Sequence, residues 1–412
     1  MRRELRQPLA IPWRALLALV VLAAVAYCVV FGFVRSLPGA AVVAVPRAAA
    51  VPGRLPGIAW PSQGEAAVGV EGIGLLASHG AGNPTPIASV AKVMTALVVL
   101  HDHPLTTSPS GPQITVTSGD VAIFRADQAS AQSVVAVRTG EKLTERQALE
   151  GLLLPSGNNI AALLAQWDAG SQAAFVAKMN AQARVLGLGH TRYLDAAGFQ
   201  PGTVSTAADQ VRLANVALEN PTLRQIVGMA QTTLPVAGRQ DTLDALLGRD
   251  GIIGVKTGST ALAGGCFLFA ANAQVGGRTV TVVGAVLHEP ATSKQPSSIG
   301  AAFQASTALL TSMRSALTNY EVVRRGATLV TVKVPWSEPI AGQTIKSTTL
   351  IGWPGLPIHT AISPVPKLAA PLTAGQRIAI ATVTAGEQRL LIPLVAARAL
   401  PNASLGWRLE HP

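Results

Sequence analysis

Aromatic side chains make up only 4% of this 412-residue chain and charged ones 13%, with two cysteines and seven histidines. Each shortage removes a class of protein. Cys28 lies in an apolar run and Cys266 in an apolar strand-like stretch. No disulfide framework is therefore expected, and a chain of this length can bury enough core without one. Only His101 and His103 stand close together, on either side of Asp102 at a predicted helix end, and no other histidine has ligand-like spacing. No metal centre and no cofactor are expected. The net charge of +11 would suit nucleic acid, but no basic cluster is interleaved with aromatics, so that partner is excluded.

Long apolar runs are scarce as well. One extends from Ala15 to Val34, twenty residues without a charge, and matches a hydrocarbon core of about 30 Å. Arg2, Arg3, Arg6 and Arg14 precede it, while only Arg35 follows closely. The positive-inside tendency then leaves residues 1–14 as a cytoplasmic basic tail, makes 15–34 a single-pass anchor in the cell membrane, and exports the rest. A cleaved leader is the competing reading, since small residues follow Pro38, but the run is longer than a typical leader core. Residues 35–62, rich in Pro, Ala, Val and Gly without a sustained period, read as a flexible tether.

Beyond the tether the pattern changes twice. Ala66 to Ser78 reads as a strand pair broken by glycines, and a helix begins near Ser89. Thr144 with Gln147 forms a capping box, and Ser171 caps a helix with Phe175, Val176, Met179 and Ala183 on one face. Another helix begins near Ser205 and ends before Pro221. Gly265 to Ala271 and Thr279 to Leu287 then read as strands joined by Gly276-Gly277, and a helix over about 299–317 closes the unit. The succession predicts an α+β catalytic domain over 63–318, an antiparallel sheet covered by helices. Residues 319–412 lose the helical period and are expected as a small, separate β-sandwich-like domain.

Three short motifs carry chemistry. Ser89-Val90-Ala91-Lys92 at a helix start puts a hydroxyl and an amine on one face, where a lysine kept neutral by burial can serve as the base for a serine nucleophile. Alone this spacing is weak, because a capping serine followed by a solvated lysine is common. Ser156-Gly157-Asn158 follows Leu154-Pro155 between two predicted helices, a loop able to project a hydroxyl and an amide. Its bland alternative is a helix cap by Ser156 or Asn158. Lys256-Thr257-Gly258 opens the β part, where a strand edge can offer a cation, a hydroxyl and uncrowded backbone to an extended peptide. Lysine is scarce, eight against twenty-four arginines, and two of the eight fall at motif positions.

Together, in this order, the motifs form the signature set of penicillin-binding proteins and β-lactamases. The chain resembles the low-molecular-mass penicillin-binding proteins, the D-alanyl-D-alanine carboxypeptidase family. The blocks Ile87 to Leu97, Leu153 to Asn158, Phe175 to Asn180 and Gly254 to Gly258 carry the resemblance, over roughly 63–318. It implies a β-lactamase/transpeptidase-like fold that removes the terminal D-alanine from peptidoglycan stem pentapeptides, with β-lactam antibiotics as covalent inhibitors. Ser89 would be the nucleophile, Lys92 its base and Ser156 the proton relay. Asn158 would orient Lys92, and Lys256 would keep it reactive. Thr257 would bind the terminal carboxylate beside Gly258, and the N–H groups of Ser89 and Ser259 would hold the oxyanion. The sequence departs from the family at Asn159, where many relatives carry an acid, and at Asp241-Thr242-Leu243-Asp244, where amides are common. A β-lactamase would need a deacylating base, and the only glutamate between Asn158 and Lys256 is Glu219, at a helix end. A D,D-endopeptidase would use the same residues, and a non-catalytic penicillin-binding sensor would not need all of them.

Overall fold

The structure is a computed structural model and describes residues 12–30, 32, 36–80, 82–105 and 110–411. The expected basic tail lies outside the described residues up to residue 11, as do residues 31 and 33–35 of the apolar run and its flank.

Five antiparallel strands build the central sheet. Their spatial order is Ile252–Thr260, Gly264–Val275, Arg278–Glu289, Glu65–Val70 and Gly74–His79. Alternation along the strands assigns the two faces. Cys266, Leu268 and Ala270 join one core together with the helix Lys92–Asp102, whose first nine residues are all buried. Phe267, Phe269 and Ala271 point the opposite way, onto Leu309, Leu310 and Met313 of the helix Ser298–Ala316. The sheet is thus covered by helices on both faces. Residues become strands here because apolar side chains recur on both sides, and glycines such as Gly276 and Gly277, both with positive φ, close the hairpin.

The expected helix ends are present. Thr144 and Gln147 complete a capping box on Glu145–Leu153, and Ser171 accepts from Ala174 N ahead of Gln172–Val185. Thr206, one residue later than expected, caps Ala207–Glu219. At the end of the helix Lys92–Asp102, His101 and Asp102 are exposed, and Asp102 and His103 border a cluster around Asp168. Lys178 bridges Asp102 and the buried Asp168 at 2.7 Å each, and His103 lies 3.0 Å from Asp168. The Asp168 side chain is fully buried, so the Lys178 ammonium takes the place of solvent.

Three expectations are revised. First, within the anchor expected over 15–34 the described helix is Trp13–Val29, 17 residues, spanning about 25 Å at 1.5 Å per residue, and residues 31, 33 and 34 of the run lie outside the described residues. Among the described residues no helix is long and apolar enough to cross a membrane. Second, the tether is not free chain: its β-branched run Ala41–Ala44 adds an edge strand to Thr328–Val334, and Val51 is buried. Third, residues 319–412 do not build a separate sandwich. Their strands form a single six-stranded antiparallel sheet that includes Ala41–Ala44, plus a two-stranded ribbon of Thr318–Val323 with Thr348–Gly352. Ile351, Ile378 and Leu394 instead join the same apolar core as Phe267 and Leu309.

Phe267 anchors that shared core, fully buried, with Phe303 edge-on at 4.9 Å and Phe269 at 5.7 Å. Phe267→Ala is expected to cost roughly 3–5 kcal/mol, read as a lower urea midpoint for a transition in which both β regions unfold together.

Candidate active site

The helix expected near Ser89 opens with a 3-10 turn, Ala88–Ala91, before the α-helix begins at Lys92. The tighter winding matters because side chains at i and i+3 eclipse in a 3-10 turn. Lys92 Nζ consequently sits 2.8 Å from Ser89 Oγ. Ala88, just before the serine, holds a left-handed φ of 46°, and Gly198 packs so closely on its carbonyl that no Cβ would fit.

Lys92 is fully buried and makes two further hydrogen bonds, to Asn158 Oδ1 at 2.6 Å and to the Ala197 carbonyl at 3.0 Å. Neither of these partners can donate to it. A neutral lysine has two N–H bonds and one lone pair, so both N–H bonds are used and the lone pair is left facing the Ser89 hydroxyl. Burial drives Lys92 toward that neutral form, well below the ordinary lysine pKa; Lys256 adds a repelling charge, and Asp195 and Asp127 partly oppose both.

Ser156 and Asn158 do not cap the helix Asn158–Ala169; its N-cap is Gly157, which has no side chain to offer. Both polar groups are thereby free for the cleft. Ser156 is buried at φ 64°, and its Oγ has no hydrogen-bond partner. Strained backbone and an unsatisfied hydroxyl at one residue are unusual outside functional sites. Asn158 Nδ2 donates to Gln132 Oε1 at 2.6 Å, which fixes the amide so that its oxygen faces Lys92. Asn159 donates to Val135 O and accepts from Val135 N, so here the family's acidic position carries an amide that pins the neighbouring loop. A carboxylate could make only the second of these bonds.

Lys256, Thr257, Gly258 and Ser259 lie on the edge strand Ile252–Thr260. Lys256 is buried, donates to Thr257 O at 2.9 Å, and is pushed down to about 7 by burial, with Asp244 acting in the opposite direction. Thr257 is buried beside it, and Ser259 is exposed with its Oγ 3.1 Å from Ser298 Oγ. At Gly258 an added Cβ would stand 2.9 Å from Ser89 N and 3.1 Å from Val90 N. The strand backbone therefore runs directly alongside the serine turn. Ser89, Lys92 and Asn158 are joined by hydrogen bonds, Gly258 runs against the Ser89 turn, and the charge of Lys256 is felt by Lys92. Sequence reasoning missed Gln132, Asp127, Asp195 and the Ala197 carbonyl. None of them belongs to a motif, and only the glycine of the Asp195 to Gly198 loop hinted at a close approach.

A buried lysine turned toward a serine, beside an open strand edge bearing a second lysine, is the apparatus of the penicillin-binding class of serine acyl-transfer enzymes. The peptidase S11 family, described as D-alanyl-D-alanine carboxypeptidase, matches over residues 68–287, more than half of the chain. The protein belongs to this family and is a serine hydrolase of that type. A D-alanyl-D-alanine carboxypeptidase of Streptomyces sp. is 35% identical over 216 residues, covering 48% of this chain and 71% of its own. The crystal structure of a Streptomyces DD-transpeptidase superposes with a TM-score of 0.52 at 28% identity, covering 66% of this chain and 98% of that one. A peptidoglycan synthesis regulatory factor from Streptococcus pneumoniae shares the fold over 84% of this chain and 100% of its own, with a TM-score of 0.62 at 20% identity.

Gly258→Ala is expected to slow acylation by penicillin about 100-fold, because the strand must withdraw from the Ser89 turn and its N–H groups lose their aim at an oxyanion. Stopped-flow or gel-based acylation rates on the folded variant check this.

Proposed function

We propose that this chain removes the terminal D-alanine from peptidoglycan stem peptides ending in D-alanyl-D-alanine, through an ester on Ser89. The observation that carries the reading is the contact of Lys92 Nζ with Ser89 Oγ, made by a fully buried lysine whose other hydrogen bonds go to acceptors.

Lys92 takes the proton of Ser89 as Oγ bonds to the carbonyl carbon of the penultimate D-alanine. The carbonyl oxygen becomes an oxyanion between the N–H groups of Ser89 and Ser259. When the peptide C–N bond breaks, its electron pair goes to the leaving amine, which receives the proton from Lys92 through Ser156. The leaving D-alanine keeps its carboxylate against Lys256 and Thr257 until it departs. Water, giving a proton to Lys92, then attacks the ester; the C–Oγ bond breaks and Lys92 returns that proton to Ser89 Oγ. A β-lactam enters the same sequence, but its ring nitrogen stays tethered and blocks the water step.

The reading places the catalytic part outside the cell membrane, on the apolar helix Trp13–Val29. Its support is that no residue of this helix is buried, although Leu16, Leu17, Leu19, Val20 and Leu22 are all more than half exposed. An apolar surface all round a helix requires an apolar environment.

Two measurements test these statements. Purified chain incubated with a pentapeptide is expected to release D-alanine and to carry penicillin label, with both lost in Ser89→Ala. Label without release points to a sensor, and release from cross-linked dimers alone points to an endopeptidase; either result overturns the carboxypeptidase. The full chain is expected to float with anionic lipid vesicles and to be released by Leu19→Asp with Leu22→Asp. A mature exported chain found to begin after Pro38 overturns the anchor.

A further inference from the structure

Lys92 has one acceptor that no motif supplies, the Ala197 carbonyl at 3.0 Å. The Asn158 amide is aimed by Gln132, but a backbone carbonyl can be aimed only by the loop that carries it. Residues 195–199 lie in neither helix nor strand, so no regular ladder fixes the peptide plane of Ala197. Asp195 fixes it instead. Its Oδ2 accepts from Phe199 N at 2.7 Å, so the carboxylate spans the bend whose middle residue is Ala197. Its Oδ1 accepts from Thr203 Oγ1 at 2.6 Å. Thr203 is fully buried and accepts in turn from Leu194 N at 3.0 Å, which ties the carboxylate to the chain on both sides of the bend. Hydrogen bonds to an ionised acceptor at such distances are the stronger kind.

Two further contacts seat the loop on the helix that bears the base. Ala196 O accepts from Thr95 Oγ1 at 2.7 Å, one turn beyond Lys92 on Lys92–Asp102. Gly198, at φ 76°, packs on the Ala88 carbonyl where a Cβ would not fit. Three successive residues, 196–198, thus bear on the turn that carries Ser89 and Lys92, and the bond from Phe199 to Asp195 clasps them at both ends.

We propose that Asp195 is a positioning residue of the reaction: by closing the 195–199 loop it holds the Ala197 carbonyl against Lys92 and so keeps the free lone pair of the lysine on Ser89 Oγ. The inference rests on the function proposed above. The lysine amine sits on a flexible four-carbon stem, so its acceptors alone decide how it turns. With Ala197 O withdrawn, one N–H of the neutral amine would be left without a partner in a buried site. Donating that N–H to Ser89 Oγ would satisfy it, and the lone pair would then point away from the proton it must take.

The test is acylation of the full chain by penicillin, resolved into the dissociation constant of the first complex and the rate constant of the covalent step. Asp195→Ala is expected to slow the covalent step about 30-fold and to leave the dissociation constant within about twofold. Burial and Lys256 lower Lys92 and the Asp195 charge opposes them, so Thr203→Val, which leaves that charge in place, isolates the geometry. Thr203→Val is expected to slow the covalent step about fivefold on its own and to add nothing to Asp195→Ala. An undiminished covalent step in folded Asp195→Ala, a loss confined to the dissociation constant, or an equal cost of Thr203→Val in both backgrounds overturns the proposal. Should Asp195→Ala not fold, Thr203→Val alone decides, and an unchanged rate overturns the proposal. Unaltered chain that takes no penicillin label overturns the serine acyl-enzyme reading instead, and the loop is then read directly. A crystal structure of Asp195→Ala is expected to show the Ala197 carbonyl out of hydrogen-bond reach of Lys92 Nζ, and a contact kept at 3.0 Å overturns the proposal.

Discussion

Two buried lysines share one cleft, and that repulsion organises the site. Burial alone would favour the neutral form of both, yet the proposed chemistry needs one neutral and one charged. Lys92 is surrounded by acceptors, the Asn158 amide oxygen and the Ala197 carbonyl, and feels the charge of Lys256. Lys256 donates to the Thr257 carbonyl on the opposite wall. The difference in neighbours, not in residue type, separates their roles.

The fold supplies what this separation demands. A 3-10 turn eclipses Ser89 and Lys92, and Gly258 lets the edge strand run within contact of the same turn. Gly157 leaves the next helix without a side-chain cap, so the Ser156 hydroxyl stays unbonded and Asn158 reaches Lys92. Behind the strand, Leu268 and Phe267 alternate into two cores, so the rigid sheet fixes Lys256 from below. The second core continues through Leu309 into the C-terminal sheet, and Ala41–Ala44 stitches the N-terminal segment to that sheet as well. The regions on either side of the catalytic part therefore brace it.

Much of this was legible in the chain. Caps at Thr144 and Ser171, the Gly276-Gly277 hairpin and the three motifs are local signals, readable because their partners lie within four residues. The tether and the separate sandwich were misread for the opposite reason. Ala41–Ala44 becomes a strand only because Thr328–Val334 waits for it nearly three hundred residues later, and no local pattern announces that partner. The apolar run was visible, but its helical extent was not, since hydropathy records composition and not where a helix ends.

The sequence by itself determined the reagents: a serine and a lysine three apart, a Ser-x-Asn loop, a Lys-Thr-Gly strand, and the family they belong to. Only the tertiary structure decided that Lys92 is buried against Ser89 with acceptors on its other side, and that Gln132 aims the Asn158 amide. Those choices depend on burial and on distances between residues far apart in the chain. Such quantities do not exist until the two walls of the cleft are brought together.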